Sequence, residues 1–117
     1  MGYLTTHVLD TAQGTPGAGM AIDLYRLAER GRVHLHGLTA NDDGRADGPL
    51  LQGEAFTAGH YELVFQVGAY FRARGVALPE PAFLEDVVVR FGIASPDTHY
   101  HVPLLVSPYG YSTYRGS

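Results

Sequence analysis

The feature that most limits the fold of this chain is a period-two alternation of apolar and polar residues. The alternation recurs in seven short stretches along the 117 residues. Side chains on a strand point to opposite faces in turn, so this period is typical of half-buried β-strands. The pattern predicts strands over residues 3–10, 20–28, 33–40, 60–68, 87–94, 99–107 and about 110–116.

Turn-forming residues separate these stretches and leave little room for helix. Clusters rich in Gly, Pro, Asn and Asp occupy residues 13–17, 41–44, 47–49 and 107–110. Only residues 79–85, PEPAFLE, can form one or two helical turns, and the prolines at 79 and 81 limit even these. No repeat or linker divides the sequence. We therefore expect one all-β domain over residues 1–117, built as a sandwich or a barrel.

The composition narrows the chemistry that the chain can perform. There is no Cys, and all eight basic residues are Arg, so thiolate, Schiff-base and zinc–sulfur chemistry are excluded. The net charge of −4 and the lack of a basic stripe argue against nucleic acid as a partner. No signal peptide or membrane span is recognisable, so a cytoplasmic location is expected. Catalysis would have to use His, carboxylate, hydroxyl, Tyr or Arg.

Histidines are the most promising of these groups. His7 lies on the more polar side of the first predicted strand, and His99 and His101 share a face of a later one. Two neighbouring imidazoles suggest either an acid–base pair or a metal pair. His34 and His36 also share a strand face, but zinc usually requires three or four convergent ligands. This second pair is more typical of a polar outer face, and the metal site stays open as an alternative.

Three sequence blocks together resemble a known family. LTTHVLDTAQGTPGAG near the start, NDDGR in the middle and HYHVPLLVSPYGYSTYRGS at the end resemble the 5-hydroxyisourate hydrolases. These enzymes are the enzymatic branch of the transthyretin-like family. The resemblance covers essentially the whole chain, except that residues 72–86 match no pattern. The terminal YRGS is its most specific element, because it separates the hydrolases from transthyretin proper, a hormone carrier.

The resemblance implies a fold, an assembly and a reaction. The fold is a transthyretin-like (prealbumin) β-sandwich of two four-stranded sheets with one short helix. The assembly is a homotetramer, a dimer of dimers, with active sites at the dimer–dimer interface. The reaction is hydrolysis of the small molecule 5-hydroxyisourate to 2-oxo-4-hydroxy-4-carboxy-5-ureidoimidazoline in urate degradation. The family requires no metal or organic cofactor.

The family's functional residues fall on matching positions of this sequence. The implied catalytic residues are His7, Arg45, His101 and Ser117, and the implied substrate-binding residues are Tyr114, Arg115 and Gly116. The chemistry of these groups suits hydrolysis of a lactam, the cyclic amide that the family opens in 5-hydroxyisourate. Histidine exchanges protons near neutral pH, and a guanidinium can stabilise the charge that grows on the carbonyl oxygen. The sequence leaves open which histidine is the base.

Four alternatives remain at this point, two for single residues and two for the whole chain. Arg115 can position the C-terminal YRGS segment rather than contact substrate. His99 can have no role in the site although it shares a strand face with His101. The chain can be a transthyretin-like carrier of small ligands on the same fold, although a carrier does not need the histidines, Arg45 or YRGS. It can also be a metal-dependent amidohydrolase that uses the His-x-His pairs.

Overall fold

A computed structural model describes residues 1–116, and its regular structure is almost entirely β-strand. Residue 117 lies outside the described part. The strands of one sheet are β1 (Tyr3–Asp10), β2 (Thr15–Pro16), β5 (Leu51–Gln52), β8 (Tyr100–Ser107) and β9 (Gly110–Thr113). Those of the other are β3 (Ala21–Ala28), β4 (Gly31–Thr39), β6 (Gly59–Phe65) and β7 (Val87–Ile93). One α-helix, α1 (Val67–Ala73), and a 3₁₀ turn at Gly53–Ala55 complete the described chain.

The strands form two sheets, which confirms the prediction of an all-β, transthyretin-like sandwich. The strand order is β2-β1-β8-β9 in the first sheet and β4-β3-β6-β7 in the second. The first sheet has five strands rather than four, because β5 also pairs with β1. The pairing of β1 with β8 is parallel, whereas every other pairing between the named strands is antiparallel.

The inward faces of the two sheets form one apolar core. Alternate residues of β1, of the first half of β3 and of much of β7 are buried, as the period-two pattern requires. The fully buried strand residues include Leu4, Val8, Ile22, Leu24, Leu63, Phe65, Leu104 and Val106. Burying each of these side chains contributes about 1.5–3 kcal/mol relative to leaving it exposed. The opposite face of β1 is only half-buried, and it is there that the polar side chains Thr5 and His7 lie.

The helix lies elsewhere than the sequence pattern predicts. Residues 79–85 form no helix, and the strand expected over 60–68 ends at Phe65, after which α1 begins. Val67, Tyr70 and Phe71 have helical spacing and are all buried, so packing stabilises a helix at this place. In the 79–85 segment, Glu85 instead accepts the amide hydrogen of Ala82 at 3.1 Å. None of the helices in residues 1–116 is long and apolar enough to cross a membrane.

A buried carboxylate holds α1 against the end of β1. Asp10 is fully buried, and one of its oxygens accepts the backbone amides of Ala12 and Gln13, both at 3.0 Å. The other oxygen accepts the hydroxyl of Tyr70 at 2.9 Å. Burial and this bond raise the pKa of Tyr70 to about 12, so the phenol remains a donor.

Replacing Tyr70 with phenylalanine is expected to lower the free energy of unfolding by about 1.5–3 kcal/mol. The change leaves one oxygen of the buried Asp10 without its donor, and a hydrogen bond to a charged group has about this value. Denaturant unfolding followed by circular dichroism measures the loss. The matched control is Tyr109→Phe, because the Tyr109 side chain is 63% exposed. Equal stabilities of the two variants would contradict this role for Asp10 and Tyr70.

Candidate functional site

Three of the predicted site residues, His7, Arg45 and His101, converge on the outer face of the five-stranded sheet. His101 lies on β8 and pairs in parallel register with Thr5 of β1, two residues before His7. The imidazole rings of His7 and His101 are therefore close, with centroids 6.5 Å apart and planes tilted by 31°. Two imidazoles from strands distant in sequence are thus placed side by side by the sheet register.

The NDDGR turn brings Arg45 to the same place. Arg45 forms an isolated antiparallel bridge with His7, and the amide of Val8 donates to the carbonyl of Gly44 at 2.8 Å. The side chain of Asn41 shapes the turn, because its Oδ1 accepts the amide of Arg45 at 3.0 Å. Gly44 has a φ of +76°, and a Cβ there would meet the carbonyl of Val8. Glycine is therefore needed at this turn to deliver the guanidinium.

The chain after β9 approaches His101 from its other side. The amide of Gly116 donates to the carbonyl of His101 at 2.8 Å, and the two residues form an isolated bridge. A Cβ on Gly116 would lie 2.6 Å from Cδ2 of the His101 ring. The absence of a side chain thus lets the backbone pack directly on the imidazole. Ser117, predicted to be catalytic, lies outside the described residues.

Arg115 and Tyr114 occupy different surroundings. The guanidinium carbon of Arg115 lies 4.0 Å from the ring centroid of Tyr100, and its Nη2 donates to the carbonyl of His99 at 3.0 Å. This geometry matches the alternative in which Arg115 positions the tail. Tyr114 is 60% exposed. Both residues line a second cavity of about 250 Å³ at the edge between the sheets, rather than the cleft beside His101.

An open cleft of about 670 Å³ lies beside the histidines and is lined by both polar and apolar groups. Its polar wall includes Thr5, Arg45, His99 and His101. Although His7 is not among the lining residues, its ring borders His101. The cleft is large enough for a small planar heterocycle, and the groups around it can exchange protons and stabilise negative charge.

Burial and nearby positive charge lower the pKa of both site histidines. For His7 the larger cause is desolvation, followed by the charge of Arg45, and contacts with Asp43 oppose the shift. For His101 the causes are desolvation, then Arg45, then His7 and His99. Both imidazoles are therefore held in the neutral form at neutral pH, in which a ring nitrogen has a lone pair free to accept a proton.

The histidines of the other His-x-His pair, His34 and His36, do not join the site. His34, in the His-x-His pair of β4, bonds through Nε2 to Asp23 at 2.9 Å on the other sheet. Within residues 1–116, no group of three or more His, Cys, Asp or Glu side chains is arranged to hold a metal ion. Two side chains that the sequence did not single out do belong to the site, namely Thr5 and Asn41. In the sequence, Thr5 is marked only by lying two residues before His7, and Asn41 only by the Asx-turn pattern of NDDG.

Comparison with known proteins places the chain among close relatives. Residues 4–116 match the HIUase/Transthyretin family. A Rhizobium meliloti protein named 5-hydroxyisourate hydrolase 2 is 64% identical over 99% of this chain and 97% of its own. A Pseudomonas aeruginosa protein named 5-hydroxyisourate hydrolase is 63% identical over 100% of this chain and 93% of its own.

Solved structures agree with these matches. An (S)-allantoin synthase superimposes with a TM-score of 0.94 at 49% identity; the match covers 99% of this chain but only 44% of the synthase chain. Sea bream transthyretin, solved in complex with thyroxine, gives a TM-score of 0.85 at 28% identity over 97% of this chain and 93% of its own. The fold, the sequence identity and the matched range lead to one conclusion: this chain belongs to the HIUase/Transthyretin family.

Proposed function

We propose that this protein hydrolyses 5-hydroxyisourate to 2-oxo-4-hydroxy-4-carboxy-5-ureidoimidazoline. The observation that carries the proposal is the convergence of His7, Arg45 and His101 beside one cleft, from three separate segments of the chain. The names of the relatives at 63–64% identity support the same substrate. In this proposal the enzyme is a cyclic amide hydrolase that needs no cofactor.

The mechanism begins with activation of a water molecule. A neutral imidazole, either His101 or His7, accepts a proton from water as the water oxygen attacks the lactam carbonyl carbon. The guanidinium of Arg45 stabilises the negative charge that develops on the carbonyl oxygen. The tetrahedral intermediate then collapses, the C–N bond breaks, and the protonated imidazole returns its proton to the departing nitrogen. The products are a carboxylic acid and the freed nitrogen group within one opened molecule.

The tail completes the cleft in this proposal. Gly116 packs on the His101 ring and so holds the imidazole in place. Ser117 then orients the water or the substrate, and Tyr114 flanks the substrate ring. Arg115 acts by fixing the tail, as its contacts with Tyr100 and His99 suggest.

We propose further that the protein is a single domain over residues 1–117 that assembles as a homotetramer, a dimer of dimers. Strands β7 and β9 are outermost in their sheets, so each has an edge free to pair with another copy. The sites would then lie at the dimer–dimer interface. Sedimentation analysis that finds only monomers at assay concentrations would refute this assembly.

The direct test is spectroscopic. Urate oxidase generates 5-hydroxyisourate in the cuvette, and its ultraviolet absorbance is followed with and without this protein. We expect decay much faster than the spontaneous reaction, both before and after exhaustive chelation. Activity lost on chelation would favour the metal-dependent alternative, and no acceleration at all would refute the hydrolase.

A carrier function is the second candidate, because the structure also superimposes on a transthyretin that was solved with thyroxine. The two functions make different demands on the site residues. A carrier would bind an aromatic ligand without turnover, and replacing His7 or His101 would leave that binding intact. Calorimetry with thyroxine, run beside the hydrolase assay, separates them.

The pH dependence of kcat/KM should have its acid limb below pH about 6.5, the usual pKa of histidine. Desolvation and Arg45 lower the pKa of His7 and His101. Each imidazole therefore remains neutral, and able to accept a proton, down to a lower pH than a free imidazole does. Asp43 opposes the shift at His7 only. Initial rates across acidic buffers, after subtraction of spontaneous decay at each pH, measure the limb. A limb above this value would contradict the assignment of either histidine as the base.

A further inference from the structure

A row of hydrogen-bonding groups runs from the first strand to His101. Nδ1 of His99 lies 3.1 Å from the carbonyl oxygen of Tyr3. Nε2 of the same ring lies 3.5 Å from Oγ1 of Thr5. The Thr5 hydroxyl in turn lies 2.8 Å from Nδ1 of His101. Two side chains, those of His99 and Thr5, thus connect a backbone carbonyl to the imidazole of His101 beside the cleft.

The chemistry of these groups assigns a donor and an acceptor to each contact of the row. A backbone carbonyl only accepts, so Nδ1 of His99 must be the donor, and Nε2 of neutral His99 is then an acceptor. The single hydrogen of the Thr5 hydroxyl satisfies that acceptor. When that hydrogen is donated to His99, an oxygen lone pair of Thr5 faces Nδ1 of His101, which then donates. In this arrangement each of the three contacts pairs a donor with an acceptor.

The result is that His101 carries its proton on Nδ1 and leaves Nε2 with a free lone pair. Which ring nitrogen of a histidine is protonated is set by the hydrogen bond that the other nitrogen makes. We infer that Thr5 and His99 are positioning residues, which fix the tautomer and the ring orientation of His101 so that Nε2 acts as the base. This inference rests on the proposed function for the role of His101, but its tautomer claim does not.

Contacts around His99 support a fixed position for the row. The Tyr3 ring lies against His99 with centroids 4.1 Å apart, and Arg115 bonds to the His99 carbonyl. The rings of His99 and His101 are nearly parallel, at 15°, with centroids 6.4 Å apart. Thr5 is half-buried and lies directly opposite His101 in the parallel register. His99 is therefore part of the site, against the alternative that it has no role there.

The tautomer can be measured without any assay of activity. Long-range ¹⁵N–¹H correlation spectra of protein labelled at histidine nitrogens distinguish a protonated ring nitrogen from an unprotonated one. The spectra are recorded at about pH 8.5, where His101, whose pKa is lowered from the usual value of about 6.5, is neutral. We expect His101 in the Nδ1–H form, and an Nε2–H form in the wild-type protein would overturn the inference.

Matched variants test whether Thr5 and His99 determine the tautomer of His101. Thr5→Val has nearly the same shape but no hydroxyl, so His101 should move toward the Nε2–H form, as should His99→Phe, which keeps a ring against Tyr3. Thr5→Ser retains the hydroxyl and should keep the wild-type tautomer. Thr11→Val is the control, because the Thr11 hydroxyl bonds to the Val106 carbonyl at the far end of the same strand pair. A His101 tautomer that is unchanged in Thr5→Val would overturn the inference.

Kinetics separate this positioning role from a general loss of structure. Thr5→Val should lower kcat about 10–100-fold, the size found for groups that orient a metal-bound imidazole, with KM little changed. Thr5→Ser should recover most of the rate, and an unaltered kcat in Thr5→Val would overturn the inference. The predicted tautomers in a protein that does not accelerate 5-hydroxyisourate decay would refute the proposed function, while the tautomer part of the inference would stand.

Discussion

Replacing His101 with alanine is expected to lower kcat by about 10²–10⁴-fold, the usual contribution of a positioned general base. The imidazole of His101 lines the cleft, bonds to Thr5 through Nδ1 and has a lowered pKa, so it is neutral and oriented when substrate arrives. Alanine removes the proton acceptor and leaves water in its place. Initial rates of 5-hydroxyisourate decay at saturating substrate measure the loss.

The control for this change is His36→Ala. His36 is an exposed histidine on β4, in the other sheet, so its removal should leave kcat unchanged. Circular dichroism establishes that both variants keep the sandwich. His7→Ala should also lower kcat. The acid limb of kcat/KM should disappear in the variant that lacks the base, so the pH profiles of His7→Ala and His101→Ala together identify the base. Full activity in His101→Ala would refute the catalytic assignment.

Replacing Arg45 with methionine should lower kcat by about 10²–10³-fold, the usual cost of losing one group that stabilises an oxyanion. Methionine keeps much of the length of the side chain but removes the charge. A second effect follows from the geometry. Arg45 lowers the pKa of both His7 and His101, so the acid limb of kcat/KM should move to higher pH in the variant.

Arg30→Met provides the matched control. Arg30 is an exposed arginine in the turn between β3 and β4, so both its kcat and its acid limb should equal those of the wild type. The rate and the pH profile of Arg45→Met together discriminate between roles. A rate loss without a shifted limb would indicate that Arg45 contacts substrate but lies too far from the imidazoles to influence them. Wild-type values for both would exclude Arg45 from the site.

The strands could be predicted from the sequence because their signal is local. Each strand buries one face, so alternation alone locates Tyr3–Asp10 or Val87–Ile93 to within a residue or two. Helix α1 could not be found in this way. Its seven residues begin two positions after a buried strand, and a continuous apolar run does not distinguish the two structures. Tertiary packing of Tyr70 and Phe71 decides the outcome.

The candidate site was predictable only in part. His7, Arg45 and His101 were identified from motifs, and the structure places them together. The row through Thr5 and His99 was not predicted, because it depends on the register between β1 and β8, which no local pattern encodes. The close approach of Gly116 to the His101 ring depends instead on the register between β8 and β9.

The parallel pairing of β1 with β8 also affects how the protein is made. Thr5 and His101 are bonded although they are 96 positions apart in the chain. Among the described strands, β1 pairs besides β8 with β2 and β5 through two residues each, and it forms one isolated bridge with Arg45. Contacts between distant residues form late, because the entropy of closing a long loop opposes them. During synthesis, β1 therefore lacks its main pairing partner until β8 has been synthesised. The pairing at the centre of the sheet and the approach of Thr5 to His101 are therefore expected to be completed late in folding.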